Sequence, residues 1–331
     1  MSSVRLRRAG FPVSTVSTPA GRAAAVGLGL VLATAVISGV STFANSYAVQ
    51  GTNSDAFVTV RNLAVAAMIA PVALTAARFA PRKLSRSDLG WLAVIGLVGG
   101  AIPFLLFFHG LELATNAGGA ATASFVYRTL FLMAAVLGVV VLRERFPLKV
   151  FVGAALLVVG NVLLLSLISP LWTPGTTYVL AATVFWAVEY TLSKRLLSRL
   201  PSTTVGFGRM GFGAVFLLGY LALTSQYGGV AALSGAQWGW VALSAILLTA
   251  FVLTWYAGLQ RTDLVVATSV LVLGFPVTWL LAIAVRGTPY TLDEAVGAGA
   301  VAAGVAIAAG WHRWRDLAVT VRSAFPRRAA S

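Results

Sequence analysis

The chain has no cysteine, two histidines and nine acidic residues among its 331 positions. Without cysteine there is no disulfide framework, no thiolate nucleophile and no Cys-based metal centre, and His109 and His312 alone do not make a His-rich metal site. No metal or organic cofactor is expected. Charge of either sign is scarce: Asp, Glu, Lys and Arg make up 10% of the residues, against about 25% in soluble globular proteins. That shortage excludes an ordinary soluble domain, and no Walker A lysine motif suggests ATP hydrolysis.

What fills the sequence is apolar: 59% of the residues are hydrophobic and the mean hydropathy is +0.89. Runs about as long as the ~20 residues that cross a bilayer lie at 24–48, 57–77, 89–109, 117–141, 150–169, 176–193, 203–224, 237–258, 264–285 and 294–311. They predict an all-α integral membrane protein with ten transmembrane helices. The first run is too long for the h-region of a cleaved signal peptide, which spans about 7–15 residues. A basic tail rich in Ser, Thr and Pro, expected to be disordered, occupies 1–22, and a second basic tail occupies 313–331.

An even number of spans puts both termini on one side. The tail residues Arg5, Arg7, Arg8 and Arg22, the loops after spans two, four, six and eight, and the C-terminal arginines hold the interfacial Lys and Arg; the opposite loops hold Arg286 alone. By the positive-inside rule both termini are cytoplasmic, as expected for a multi-pass protein of the plasma membrane. The net charge of +15 then reflects orientation and contact with anionic lipid rather than nucleic acid.

The first five spans resemble the second five. GAALLVVGNVLLL from Gly153 parallels GAGAVAAGVAIAA from Gly297, with Gly153 and Gly160 spaced like Gly297 and Gly304; VTVRNLAVAA around Arg61 parallels FGRMGFGAV around Arg209. This divides the chain into units at 23–170 and 171–312. A unit with an odd number of spans must enter the membrane inverted relative to its copy, an architecture of secondary transporters that bind substrate between the repeats.

The stretch around Arg209 also matches G-x-G-x-x-G through Gly206, Gly208 and Gly211. A dinucleotide fingerprint needs a preceding strand and an acid about 20 residues on; no strand pattern precedes, and the next acid is Asp263. The glycines read instead as small helix faces. The arginine stays unexplained by packing, since a charge at the bilayer centre costs about 2.5–3.5 kcal/mol on insertion scales and marks a functional candidate.

Four such charges lie inside spans: Arg61, Arg128, Glu189 and Arg209. Arg128 is near mid-span, with Tyr127 beside it and Ser124 one turn away. Glu189 shares its helix with Trp186 and Tyr190. Arginine suits a carboxylate, whereas a carboxylate with aromatics suits an amine. Arg128, Tyr127, Ser124, Trp186, Glu189 and Tyr190 are therefore the candidate substrate contacts. Arg209 and Arg61 lie one to two turns from opposite interfaces, placed to gate, to form an ion pair or to snorkel; Arg209 can reach Glu189. His109 is a candidate proton carrier or an interfacial polar residue. Pro103 and Pro276 mark bends that can line a cavity. Gly96–Gly100 can mediate a homodimer or pack helices within one chain.

The segment Leu111–Leu164, with Glu144, Gly153 and Gly160, and the stretch RTDLVVATSVLVLGFPVTWLLA with Pro276 resemble the EamA-type ten-helix transporters of the drug/metabolite transporter superfamily. Arg61 matches that family's second-helix arginine. Ser38-Gly39 stands where members often have Trp-Gly, Arg128 falls where many carry no charge, and Arg286-Gly287 replaces an expected glutamate. The resemblance implies movement of small metabolites, often amino acids or related compounds, without ATP hydrolysis. The chain thus reads as a non-enzymatic exporter of a small carboxylate-bearing metabolite by alternating access, its partners being that solute and membrane lipid. The rival within the class is efflux of cationic drugs through Glu189 and aromatics; from another class, a membrane enzyme or lipid scramblase lacks the expected cluster of His, Asp, Glu or Cys.

Overall fold

The computed structural model describes residues 19–48, 53–79, 83–145, 148–165 and 171–324, and among them there is no strand. In chain order the helices of the first half are α1 (Pro19–Ala48), α2 (Ser54–Phe79), α3 (Arg86–Ile95), α4 (Ile102–Asn116), α5 (Ala120–Arg128), α6 (Leu130–Leu142) and α7 (Leu148–Leu164). The second half holds α8 (Pro174–Leu196), α9 (Ser202–Leu223), α10 (Tyr227–Ala231), α11 (Gly235–Arg261), α12 (Leu264–Leu271), α13 (Gly274–Arg286) and α14 (Leu292–Ala309), followed by α15 (Trp311–Ala324).

Pairs α3–α4, α5–α6 and α12–α13 are interrupted single spans, so the ten predicted runs coincide with ten helical stretches. Eight are long and apolar enough to cross a membrane, and α7, at 17 residues, is a shorter apolar helix. Helix α8 is 23 residues long but polar, because it carries Glu189, Lys194 and Arg195. The count by length and composition is therefore eight plus one short helix rather than ten. Two helices were not foreseen: α10, and α15 within the predicted tail at 313–331. Helix α15 docks back on the bundle, Trp314 Nε1 donating to the Ala306 carbonyl at 3.1 Å. Helix α1 begins inside the predicted tail at 1–22; residues 1–18, the boundary at 166–170 and residues 325–331 lie outside the described residues.

Local chemistry sets the helix starts. Ser85 with Asp88, Thr173 with Thr176, Ser234 with Gln237 and Thr291 with Glu294 form reciprocal capping boxes at α3, α8, α11 and α14, each satisfying backbone donors that a helix start leaves open. Packing then repeats across the halves. Helices α7 and α14 cross in close contact, Gly153 facing Gly304 and Gly160 facing Gly297. A Cβ on Gly153 would lie 2.7 Å from the Gly304 carbonyl oxygen, and one on Gly304 2.8 Å from that of Gly153. Helices α2 and α9 pair likewise, and the α1–α11 contact has its counterpart in α4–α8, as inverted repeats require.

Between α3 and α4 the chain makes a π-helical turn over Gly96–Ala101. Pro103 has no N–H to give to the carbonyl four residues back, which is that of Gly99. The Ile102 N–H bonds the Leu97 carbonyl instead, and the Gly99 carbonyl accepts from side chains.

Candidate functional site

A cavity of about 250 Å³ lies between the halves. Its wall comes from the third of α1 nearest Ala48, the opening turns of α2, α9 and α13, α4, the second half of α5, and the middles of α8 and α11. It therefore leans toward the face of the bundle opposite the chain termini. Serines and threonines of α1 with Asn45 form one side, and aromatic rings form most of the rest. Phe104 and Trp186 lie 5.4 Å apart, Trp186 and Tyr127 5.5 Å, and Tyr127 and Phe275 6.0 Å, all between ring centroids.

Three guanidinium groups face this one cavity. Arg61 is the eighth residue of α2 and Arg209 the eighth of α9, about 10 Å along each axis at 1.5 Å per residue. Their side chains are 2% exposed. They turn into the bundle, which corrects the snorkelling alternative. Arg61 donates from Nε and Nη2 to Asn62 Oδ1 at 3.1 and 3.0 Å, and Asn62 Nδ2 donates to the Gly100 carbonyl at 3.0 Å. Its guanidinium carbon sits 4.8 Å from the Phe104 ring centroid and 5.4 Å from that of Phe108. Among the described residues it has no carboxylate partner.

Arg128 is the last residue of α5, where the helix dipole favours a cation. Nη1 donates to Asn161 Oδ1 at 3.2 Å, Asn161 Nδ2 donates to the Leu157 carbonyl at 2.7 Å, and the Phe275 ring lies 4.1 Å away. Its Nε is buried and has no hydrogen-bond partner among the described residues. A cation over an aromatic face gains about 0.5–2 kcal/mol, less than the ~2.5–3.5 kcal/mol that a central charge costs. The rings offset part of the expense of keeping these arginines, and the remainder is a standing attraction for an anion.

Glu189 lies behind the wall, fully buried. Its Oε1 accepts from Ser193 Oγ at 2.5 Å and from Tyr256 Oη at 2.6 Å, while Oε2 is 3.7 Å from Arg209 Nε. Arg209 Nη2 donates to the Gly99 carbonyl at 3.1 Å, which also accepts from Trp186 Nε1 at 3.3 Å. The π turn thus orients the pair, and a Cβ on Gly99 would fall 2.8 Å from Glu189 Cδ. Gly96, Gly99 and Gly100 are all covered by α8 and α9 of the same chain.

Of the predicted contacts, Ser124, Tyr127, Arg128, Trp186 and Tyr190 line the cavity together with Arg61 and Arg209, while Glu189 does not. His109 is exposed, edge-on to Tyr178 at 5.1 Å, and away from the cavity wall. Sequence reasoning missed the two asparagines, the polar face of α1 and the freed Gly99 carbonyl. Their signals were an Asn beside or near each arginine's helix, the spacing of Ser38, Ser41, Thr42 and Asn45, and Pro103 four residues after Gly99.

On the termini side the two halves are tied together by polar contacts. Glu144 accepts from the Leu264 and Val265 N–H groups at 2.7 and 3.0 Å, a first-half carboxylate on the start of second-half helix α12. Lys194 Nζ donates to the Leu259 and Thr262 carbonyls, each at 2.7 Å, and Arg195 Nη2 to the Val141 carbonyl at 3.1 Å. At the far end Arg286 donates to Ser46 and Tyr47 of α1.

The chain is similar to an uncharacterized transporter of Methanothermobacter thermautotrophicus, 32% identical over 120 residues that span 34% of each protein. The chain therefore matches about a third of that relative's length. A crystal structure of a protein 19% identical superposes with a TM-score of 0.67 over 85% of this chain and 96% of the other, a likeness of fold. The profile of the EamA-like transporter family matches residues 25–166 and again residues 173–310. With both halves matched, the chain belongs to the EamA-like transporter family.

Proposed function

We propose that the protein is a secondary-active transporter that carries a small organic anion by alternating access, the solute's carboxylate binding Arg128. The charge of the cavity wall carries this reading: Arg61, Arg128 and Arg209 face it, and Glu189 is withheld behind Arg209. Inverted halves supply two equivalent ways of closing; the contacts of Glu144, Lys194 and Arg195 belong to one of them. The loop lysines and arginines on the termini side support cytoplasmic termini in the plasma membrane, and export of an amino-acid-related or other small carboxylate is the direction we assign.

The test is counterflow of labelled carboxylates in liposomes containing the purified chain. Arg128→Gln should lower transport at least tenfold while the protein stays folded and inserted, and unchanged transport would remove Arg128 from the site. Vesicles of the two orientations separate export from uptake. The cationic-drug reading gains only if a lipophilic cation is transported and Glu189→Gln, but not Arg128→Gln, abolishes it.

A further inference from the structure

The cavity holds the same assembly twice. On one wall Asn62 Oδ1 accepts from Arg61; on another Asn161 Oδ1 accepts from Arg128. In each case the asparagine's own amide is fixed by a backbone carbonyl, that of Gly100 or of Leu157. A neutral acceptor locked in this way orients a guanidinium without neutralising it, leaving its full charge for a ligand. Arg209 is different, because Glu189 opposes it at 3.7 Å. Among the described residues, two cations without a carboxylate partner therefore face the cavity.

They are held apart. Arg61 lies over Phe104 and Phe108, and Arg128 over Phe275. Trp186 and Tyr127 stand between Phe104 and Phe275, ring against ring. An anion-binding point at each end with apolar rings between suits a solute with two carboxylates joined by a short hydrocarbon. A phosphate or sulfate would bring both charges to one centre, and a zwitterion's ammonium would find Glu189 occupied by Ser193, Tyr256 and Arg209. The cavity of about 250 Å³ is a space for a diacid of a few carbons rather than a peptide.

We propose that the transported solute is a small dicarboxylate, one carboxylate held by Arg128 and the other by Arg61. The proposal rests on the transport reading above and deepens it. Purified full-length protein in liposomes would be offered straight-chain monocarboxylates, dicarboxylates and organic phosphates matched in carbon number. At neutral pH both carboxyl groups of a diacid are ionised. The expected result is at least tenfold faster uptake of the diacid, a preference that Arg61→Gln reduces to within about twofold and Arg61→Lys largely keeps. Equal transport of matched mono- and diacids by the unaltered protein overturns the second anion point while leaving the carboxylate reading intact. A preference for organic phosphates overturns the two-point geometry. Transport of none of these acids overturns the transport reading itself.

Discussion

Arg61 and Arg209 occupy the same position in two inverted halves, the eighth residue of α2 and of α9, yet their surroundings differ in charge. Gly27 of α1 and Gly175 of α8 play matching parts, each packed against a glycine of its partner helix, Gly258 and Gly110. Fourteen residues beyond Gly27 stands Ser41, and fourteen beyond Gly175 stands Glu189. The second half therefore sets a carboxylate against its arginine, where the first half has a serine at the matching position on the cavity wall. The scaffold is repeated but the electrostatics are not: Arg209 has a carboxylate set against it, and Arg61 has none among the described residues.

Making the second half like the first should have the largest effect. Glu189→Ser leaves Arg209 buried without its counter-charge, and breaking a buried pair in this way costs about 3–5 kcal/mol. A marked fall in the thermal midpoint of the detergent-purified protein is expected; a midpoint within a degree of the parent would show that the pair at 3.7 Å contributes nothing to folding. Making the first half like the second should spare stability and strike function. Ser41→Glu puts a carboxylate on the same cavity wall as Arg61, and anion transport should drop at least tenfold with the midpoint little changed. Undiminished transport would mean that Arg61 does not need its charge free.

A third substitution asks whether the two ends of the bundle differ as the two halves do. Glu144 grips the start of α12 with two charge-assisted bonds, each worth about 1.5–3 kcal/mol. The far end relies on Arg286 against Ser46 and Tyr47 instead. Glu144→Ala should loosen the termini-side closure. Because the chain has no cysteine, a single cysteine at Val266, now 4% exposed, reports this directly: its labelling by a membrane-impermeant maleimide from the termini side should rise several-fold. No rise would mean that other contacts, such as those of Lys194, hold the closure unaided.

The apolar runs, the inverted halves and Arg128 were legible because each is a one-dimensional signal: length, repetition, or a charge at mid-span. What was not legible is lateral. Distance from a helix end said that Arg61 and Arg209 could reach an interface, but only packing decides which way a side chain turns, and α4 with its rings draws both inward. Glu189 was rightly singled out as a buried carboxylate near Arg209. Its separation from the cavity depends on Tyr256, 67 residues away in sequence, which no local pattern encodes. The polar character of α8, by contrast, is written in the sequence by Glu189, Lys194 and Arg195.

The smallest expected effect concerns Pro103, whose missing N–H frees the Gly99 carbonyl for Trp186 and Arg209. Pro103→Ala returns a backbone donor to the position four residues after Gly99, and the π turn can tighten toward an ordinary helix. The backbone bond would compete with two side-chain bonds, each worth about 0.5–1.5 kcal/mol net when neutral and more when charged. Arg209 would lose an anchor while keeping Glu189, so the solute's apparent affinity should weaken by about two- to tenfold, with the maximal transport rate less affected. If affinity is unchanged, the Gly99 carbonyl is not what orients Arg209, and the pairing with Glu189 alone must suffice. That outcome would place the positioning of the second half's arginine in α8 rather than in the bent helix of the first half.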